Sequence, residues 1–279
     1  MRLSVALVNW NTTALLGACL RSITAFPFAG EYEIIVVDNN SKDFDEADFR
    51  QQFPQVKLIR NPDNAGYARG NNQALAVAQG EYVLLLNPDT EVTDGAVESL
   101  TEFMEAHPSA AAAGAKLIRP DGSIDRSLRS FPYPGAIAWE YLGLSRLFPK
   151  SRMFGSYRMR WFGYDKTIEV DQPMGSALIL NSAALKEIGT MDESFPIFFN
   201  EVDLLYRAKQ AGWNIYFVPD AVVVHHGASS TKQVRRKEMV RESHQSLLKF
   251  YEKHFKGRIC PIVYYFTIAC IRTSMLLRG

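Results

Sequence analysis

Polar and apolar positions follow two rhythms along this chain. Short, nearly unbroken apolar runs occupy 4–8, 33–37, 56–60, 82–86 and 175–180. Elsewhere apolar residues recur three and four apart, as in Leu15, Leu16, Cys19, Leu20 and Ile23. A run without a polar face predicts a strand buried on both sides; three-four spacing predicts an amphipathic helix. The first half therefore predicts strands over 4–8, 33–37, 56–60 and 82–86, with helices over 14–25, 68–79 and 95–107. Thr12 or Thr13 is placed to cap the first helix. A strand over 110–119 follows, then a hairpin turn at Asp121-Gly122. The second half adds strands over 175–180, 214–218 and 221–224, and helices over 183–188, 202–211 and 243–255. Strand and helix in alternation imply a parallel, doubly wound α/β sheet.

The polar residues that end the strands add chemistry. Tyr82–Leu86 runs into Asn87-Pro88-Asp89, and Pro88 cannot donate to a sheet ladder, so the strand stops there. Asn9, Asp38 and Asp89 each follow a strand, on the edge where open α/β sheets bind ligands. Helix capping explains one such residue well, Asp89 before the 95–107 helix included, but three less well. Further on, Glu201 and Asp203 open a predicted helix, where the dipole favours acids; a partly desolvated carboxylate there can also act as a general base. His225-His226-Gly227 ends a strand, and neutral imidazole suits first-row divalent ions. Asp89 with His225 or His226 could hold one divalent cation, Mg²⁺ or Mn²⁺, with a diphosphate and water completing its shell. Asp38 and Asn9 could read a base or ribose, and Glu201 could take a proton from an incoming hydroxyl.

Composition narrows the classes. The 279 residues carry a net charge of +1, so no global field points to nucleic acid. Three cysteines form neither a paired framework nor a metal-ligand spacing, which suits a reducing compartment. The start lacks the apolar core of a signal peptide, so the expected location is the cytoplasm. Neither a Gly-x-Gly-x-x-Gly fingerprint after the first strand nor a Gly-Lys-Ser/Thr loop is present, which argues against dinucleotide dehydrogenases and P-loop NTPases.

Seven motifs then fall in one order. They are Val5-Ala-Leu-Val-Asn-Trp-Asn11, Ile35-Val-Val-Asp-Asn-Asn-Ser41, Asn64-Ala-Gly-Tyr-Ala-Arg-Gly-Asn-Asn72, Leu85-Leu-Asn-Pro-Asp89, Gly175-Ser-Ala177, Phe199-Asn-Glu-Val-Asp-Leu204 and His225-His-Gly-Ala-Ser229. Over about residues 4–230 they resemble family 2 glycosyltransferases, nearest the rhamnosyltransferase-like branch. The resemblance implies a GT-A fold over 1–231, with 124–170 a variable, partly helical acceptor-side insertion and 232–279 a helical C-terminal extension. It implies an inverting transfer from a nucleotide-sugar donor, dTDP-rhamnose first and a UDP-sugar next, to a glycan or lipid-linked acceptor. It implies a divalent metal held by Asp89 and His225, with His226 a rival. It implies Glu201 at the position of the base with Asp203 as the second acid, the choice of base between the two staying open, and donor contacts from Asn9, Asn11, Asp38, Asn40, Asn64, Gly66, Arg69, Asn87, Asp89 and Gly175. Two departures stand out: Asn87-Pro88-Asp89 offers the metal one carboxylate rather than two, and Asn200-Glu201 replaces the commoner acidic pair. A sugar-phosphate nucleotidyltransferase and a non-catalytic nucleotide- or glycan-binding module are the rival readings.

Two basic stretches remain. Lys232–Arg241 could be a loop near an anionic ligand. Cys260–Ile271 is apolar, flanked by Lys256, Arg258 and Arg272, and too short to span a bilayer. Through 256–278 the chain could lie on the inner face of a membrane, dock on its own domain, or join a homodimer.

Overall fold

In the computed structural model, residues 1–227 and 236–278 are described. The strands are β1 (Leu3–Asn9), β2 (Tyr32–Asp38), β3 (Lys57–Arg60), β4 (Tyr82–Leu86), β5 (Thr90–Val92), β6 (Ala110–Ile118), β7 (Ile168–Glu169), β8 (Ala177–Asn181) and β9 (Asn214–His225). The helices are α1 (Thr13–Ala25), α2 (Glu46–Gln52), α3 (Tyr67–Val77), α4 (Ala96–Ala106), α5 (Pro134–Tyr141), α6 (Leu144–Leu147), α7 (Ser182–Ile188), α8 (Asn200–Gln210), α9 (Arg236–His254) and α10 (Pro261–Arg278). The strands form one sheet in the order β3-β2-β1-β4-β8-β6-β9-β5, with β7 also on β9.

The first four strands are parallel, as their alternation with helices predicts. β8 runs antiparallel to β4 and β6, and β5 and β7 run antiparallel to β9, so the sheet is mixed. Successive residues of a strand point to opposite faces, which explains the unbroken apolar runs. Val5 and Leu7 of β1 join Leu84, Leu86 and the α1 and α4 side chains in one core layer. Ala6 and Val8 join Leu85, Leu178 and Phe217 in the other. Leu247, Phe250 and Tyr251 of α9 belong to that second layer, so this C-terminal helix packs into the sheet's own core.

Local differences from the expected elements have physical causes. The two strands expected over 214–224 are one, β9, with an irregular register where Ala115 and Lys116 of β6 meet Val218 and Val222. The helix α2, not anticipated, starts at Asp45, whose side chain accepts from the Ala47 and Asp48 amides. Thr12 sits at the N-cap of α1 but its side chain makes no cap hydrogen bond; its hydroxyl donates instead to Asn9 Oδ1. Asp89 does not cap α4: β5 intervenes, and Gly95, left-handed at φ 69°, starts that helix.

Candidate active site

The parallel register pairs Asn9 with Asp38 and Leu7 with Leu86, so the ends of β1, β2 and β4 share one edge. A cleft of about 560 Å³ opens there. Trp10, Asn39, Asn87–Asp89, Gly175, Ser176, Glu201 and His225 line it, with Met239 of α9.

Asp89 and His225 meet because β5 pairs antiparallel with β9, Thr90 opposite His225. The His226 amide donates to the Asp89 carbonyl at 2.9 Å, fixing the join. His225 Nε2 then lies 3.7 Å from Asp89 Oδ1 and 3.4 Å from Ser176 Oγ. His225 Nδ1 lies 3.0 Å from Asp125 Oδ2. A carboxylate can only accept, so Nδ1 carries a proton, and in the neutral imidazole Nε2, beside Asp89, is the nitrogen left to bind a cation. This carboxylate–imidazole arrangement is how proteins orient a metal-ligating histidine. Asp125 is the residue that sequence reasoning missed. It follows the Gly122 turn, where Ile124 pairs back onto Ile118, and Arg119 also donates to it at 2.9 Å.

His226 takes another course. Adjacent residues of a strand end point to opposite sides. His226 is exposed, with Nε2 2.7 Å from Glu91 Oε1, and does not line the cleft. Of the two expected histidine ligands, the fold brings only the His225 imidazole beside the Asp89 carboxylate.

The donor set fits one divalent cation in part. Asp89 supplies an oxygen and His225 an oriented nitrogen, and among the described residues no group of three His, Cys, Asp or Glu side chains converges to hold a metal. A cation held here would need its remaining ligands from outside these side chains, as Mg²⁺ and Mn²⁺ commonly take them from phosphate oxygens and water. Asn87 completes the picture. Its amide nitrogen donates to Ser176 Oγ at 3.0 Å, while Oδ1 is buried with no hydrogen-bond partner among the described residues. An orphaned acceptor beside a cleft is costly unless a ligand, ion or water satisfies it.

Glu201 and Asp203, two residues apart on α8, have different surroundings. Phe199 begins the helix in the left-handed region (φ 69°), a conformation that costs a bulky side chain energy and recurs at functional sites. The buried Asn200 amide donates to the carbonyls of Phe195 and Ile197 and holds this turn. Glu201 then projects beside Gly175 and Tyr67, and burial pushes its carboxyl above the ordinary glutamate range. Burial likewise raises the Tyr67 phenol, whose hydroxyl donates to the Gly175 carbonyl at 3.3 Å. Asp203 is fully buried and faces away. It accepts from Arg207 Nε at 2.8 Å, and from Lys253 and His254 of α9 at 2.7 Å each. Burial alone would raise its carboxyl, but these three donors prevail and hold it below the usual range.

The remaining expected donor residues divide in the same way. Asp38 is fully buried, accepting from Asn9 at 2.9 Å, the Ser41 amide at 3.1 Å and Arg60 at 3.4 Å. Asn9 and Asp38 therefore stand behind the cleft wall, and their neighbours Trp10 and Asn39 face the cavity. Asn11 (φ 53°) and Asn40 (φ 57°) shape loops: Asn11 Oδ1 accepts from the Lys42 amide, and Asn40 Nδ2 donates to the Pro62 carbonyl. Asn64 and Gly66 line the cleft; Asn64 Oδ1 accepts from the Gly66 amide, and Gly66 (φ 85°) lets α3 approach Pro196. Arg69 is exposed on α3 and lines no part of the cleft. Residues 228–235, including Ala228, Ser229 and most of the basic run, lie outside the described residues.

Known proteins share this architecture. The mannosyltransferase from Pyrobaculum calidifontis, solved with GDP-Man and Mn²⁺, superposes with a TM-score of 0.62 at 15% identity, covering 99% of this chain and 69% of that one. S. aureus TarS, solved with UDP-GlcNAc, also gives 0.62 at 16% identity, covering 100% and 72%. The fold is thus GT-A, with a helical C-terminal region. In sequence, an N-acetylglucosaminyl-diphospho-decaprenol L-rhamnosyltransferase of Mycobacterium tuberculosis is 28% identical over 215 residues, 71% of this chain and 67% of the relative. The family profile described as Glycosyl transferase family 2 matches residues 4–174, a span that contains Asp38, Asp89 and Asp125 and ends before Glu201 and His225. With more than half the chain matched and the cleft at the expected sheet edge, this protein belongs to glycosyl transferase family 2.

Proposed function

We propose that this glycosyltransferase is inverting and metal-dependent, moving a sugar from a nucleoside diphosphate donor to a hydroxyl of a glycan or lipid-linked saccharide in bacterial surface-polysaccharide assembly. L-Rhamnose from dTDP-rhamnose is the first donor to test, supported by the name of the mycobacterial relative; UDP-hexoses come next. The observation that carries the reading is the shared cleft: Glu201, with its raised carboxyl pKa, lines the same cavity as the Asp89–His225 pair.

In this reading the acceptor hydroxyl attacks the anomeric carbon from the face opposite the diphosphate, so configuration inverts. Glu201 takes the hydroxyl proton as the new C–O bond forms and the bond to the diphosphate oxygen breaks. A raised pKa suits that task, because a stronger base drives the transfer further. Asp89 and His225 would hold Mg²⁺ or Mn²⁺, which neutralises charge on the departing diphosphate. Asp125 keeps the His225 imidazole in the ligating tautomer, and Asn87 Oδ1 offers a neutral acceptor in place of the missing carboxylate. Asp203 ties α8 to α9 and so positions Glu201. The nucleoside end of the donor lies by Trp10 and Asn39, with Asp38 and Asn9 fixing their loops.

A thermal-shift comparison of dTDP, UDP and GDP, each with Mg²⁺ or Mn²⁺, identifies the nucleotide, since only a ligand of the folded state stabilises it. Mass spectrometry of products from the matching nucleotide sugar and a lipid-diphosphate saccharide then tests transfer. Stabilisation by none of the nucleotides, together with no glycosylated product, would sink the proposal.

A further inference from the structure

Two segments share a makeup that sugar transfer does not require. Residues 141–164 hold five Arg or Lys and no Asp or Glu; residues 256–278 hold four and none. Over the whole chain the two signs nearly balance, 31 against 30, so these segments concentrate positive charge.

The fold brings them to adjoining surface. α10 turns Thr267, Ile271 and Ser274 inward. It leaves Ile262 (80% exposed), Tyr265, Phe266 (53%), Leu276 and Leu277 to solvent. α5 packs against α10, and α6 against α5. A shallow apolar groove runs where Pro134 and Ala138 meet Ile262 and Phe266. Directly after α5, Leu142, Leu147 (69% exposed), Phe148 and Met153 are also exposed. Arg146, Lys150, Arg152, Arg258 and Arg272 are exposed among them. Large apolar side chains clustered in solvent mark a surface built to be covered.

We propose that this α5–α6 and α10 surface seats the protein on an anionic lipid bilayer, with the apolar side chains entering the headgroup–acyl boundary and the cations meeting lipid phosphates. Charge selects this occupant. A two-fold contact between copies would set the same patch against itself, with Arg146, Lys150, Arg152, Arg258 and Arg272 facing their own copies; the adjoining acids, Glu140 and Glu252, are already paired with Arg158 and Lys256. Among the described residues no helix is long and apolar enough to cross a membrane, so the contact is one of lying on the surface. The proposal stands apart from the donor assigned above, since none of its exposed side chains lines the cleft.

Flotation of the full chain with phosphatidylcholine vesicles, with and without phosphatidylglycerol, tests it. The protein is expected to float with the anionic vesicles only, and less at high salt. Ile262→Glu with Phe266→Glu, and separately Leu147→Glu with Phe148→Glu, should each weaken partition roughly ten-fold or more. Arg272→Gln should weaken it roughly five-fold. All these side chains are exposed, so the variants should keep the parent melting temperature, which is measured alongside. Four outcomes overturn the proposal: no binding to either vesicle, equal and salt-independent binding to both, anionic binding undiminished in the variants, or a concentration-dependent dimer abolished by the same variants without vesicle binding.

Discussion

Glu201→Gln and Asp203→Asn make the same chemical change two residues apart on α8, and their consequences should be opposite. Glu201 lines the cleft and, among the described residues, has no cationic partner holding it. Its replacement by an isosteric amide removes the base and leaves packing intact. General-base catalysis contributes roughly 10²–10⁴-fold. At 1.36 kcal/mol per factor of ten, transfer should lose about 3–5 kcal/mol of transition-state stabilisation. Donor affinity should hold, because the residue acts on the acceptor. Asp203 touches no part of the cleft and is the common acceptor for Arg207, Lys253 and His254 at 2.7–2.8 Å. Breaking one side of a buried ionic cluster costs about 3–5 kcal/mol. At about 2 °C per kcal/mol for a chain of this size, the melting temperature should fall by roughly 6–10 °C. The assays are kcat at saturating donor and acceptor, donor Kd by calorimetry, and scanning calorimetry of each variant. Full transfer in Glu201→Gln refutes the reasoning. So does Asp203→Asn that abolishes transfer while melting like the parent.

Three further outcomes follow from the geometry. Burial raises the Glu201 carboxyl, so the acid limb of kcat/KM should lie above the ordinary glutamate range. The folded protein then keeps a proton that the unfolded chain has lost, so stability falls as pH rises from the ordinary glutamate pKa through the folded one; melting curves of Glu201→Gln against pH should lack that fall, and parallel curves would count against a desolvated Glu201. Asp125→Asn should weaken Mn²⁺ binding in the presence of nucleotide by about 10–100-fold, measured by titration calorimetry; unchanged affinity would remove Asp125 from the metal's support. Gly114→Ala would drive its methyl into Pro173 Cβ, and should cost about 1–3 kcal/mol in urea denaturation, so a neutral substitution would show that β6 and Pro173 can separate freely.

Much of the site could be read along the chain, and the gaps have definite causes. Asp89 was marked by an apolar run ending in Pro88, a purely local signal. The choice between His225 and His226 was also readable in principle. Strand alternation sends neighbours to opposite sides, but this helps only once β9 is known to continue to His225. Asp125 was not legible, because its meaning depends on a histidine 100 positions away. Glu201 and Asp203 looked equivalent as acids at a helix start, and nothing local revealed that α9 would bring Lys253 and His254 onto one of them. The helix α2 was overlooked although Phe49 and Phe53, spaced four apart behind an Asp45 cap, carried its signature.

By itself, then, the sequence determined the strand–helix alternation, the two-sided burial of the central strands, and the polar residues that end them. These are matters of local period and of which side chains can stand in water. Tertiary structure decided what each polar residue faces. The β5–β9 pairing joined Asp89 to His225, the hairpin after β6 set Asp125 behind that histidine, and α9 buried Asp203 while leaving Glu201 in the cleft. Sequence patterns encode whether a side chain is buried; only the packed chain determines which distant group it is buried against.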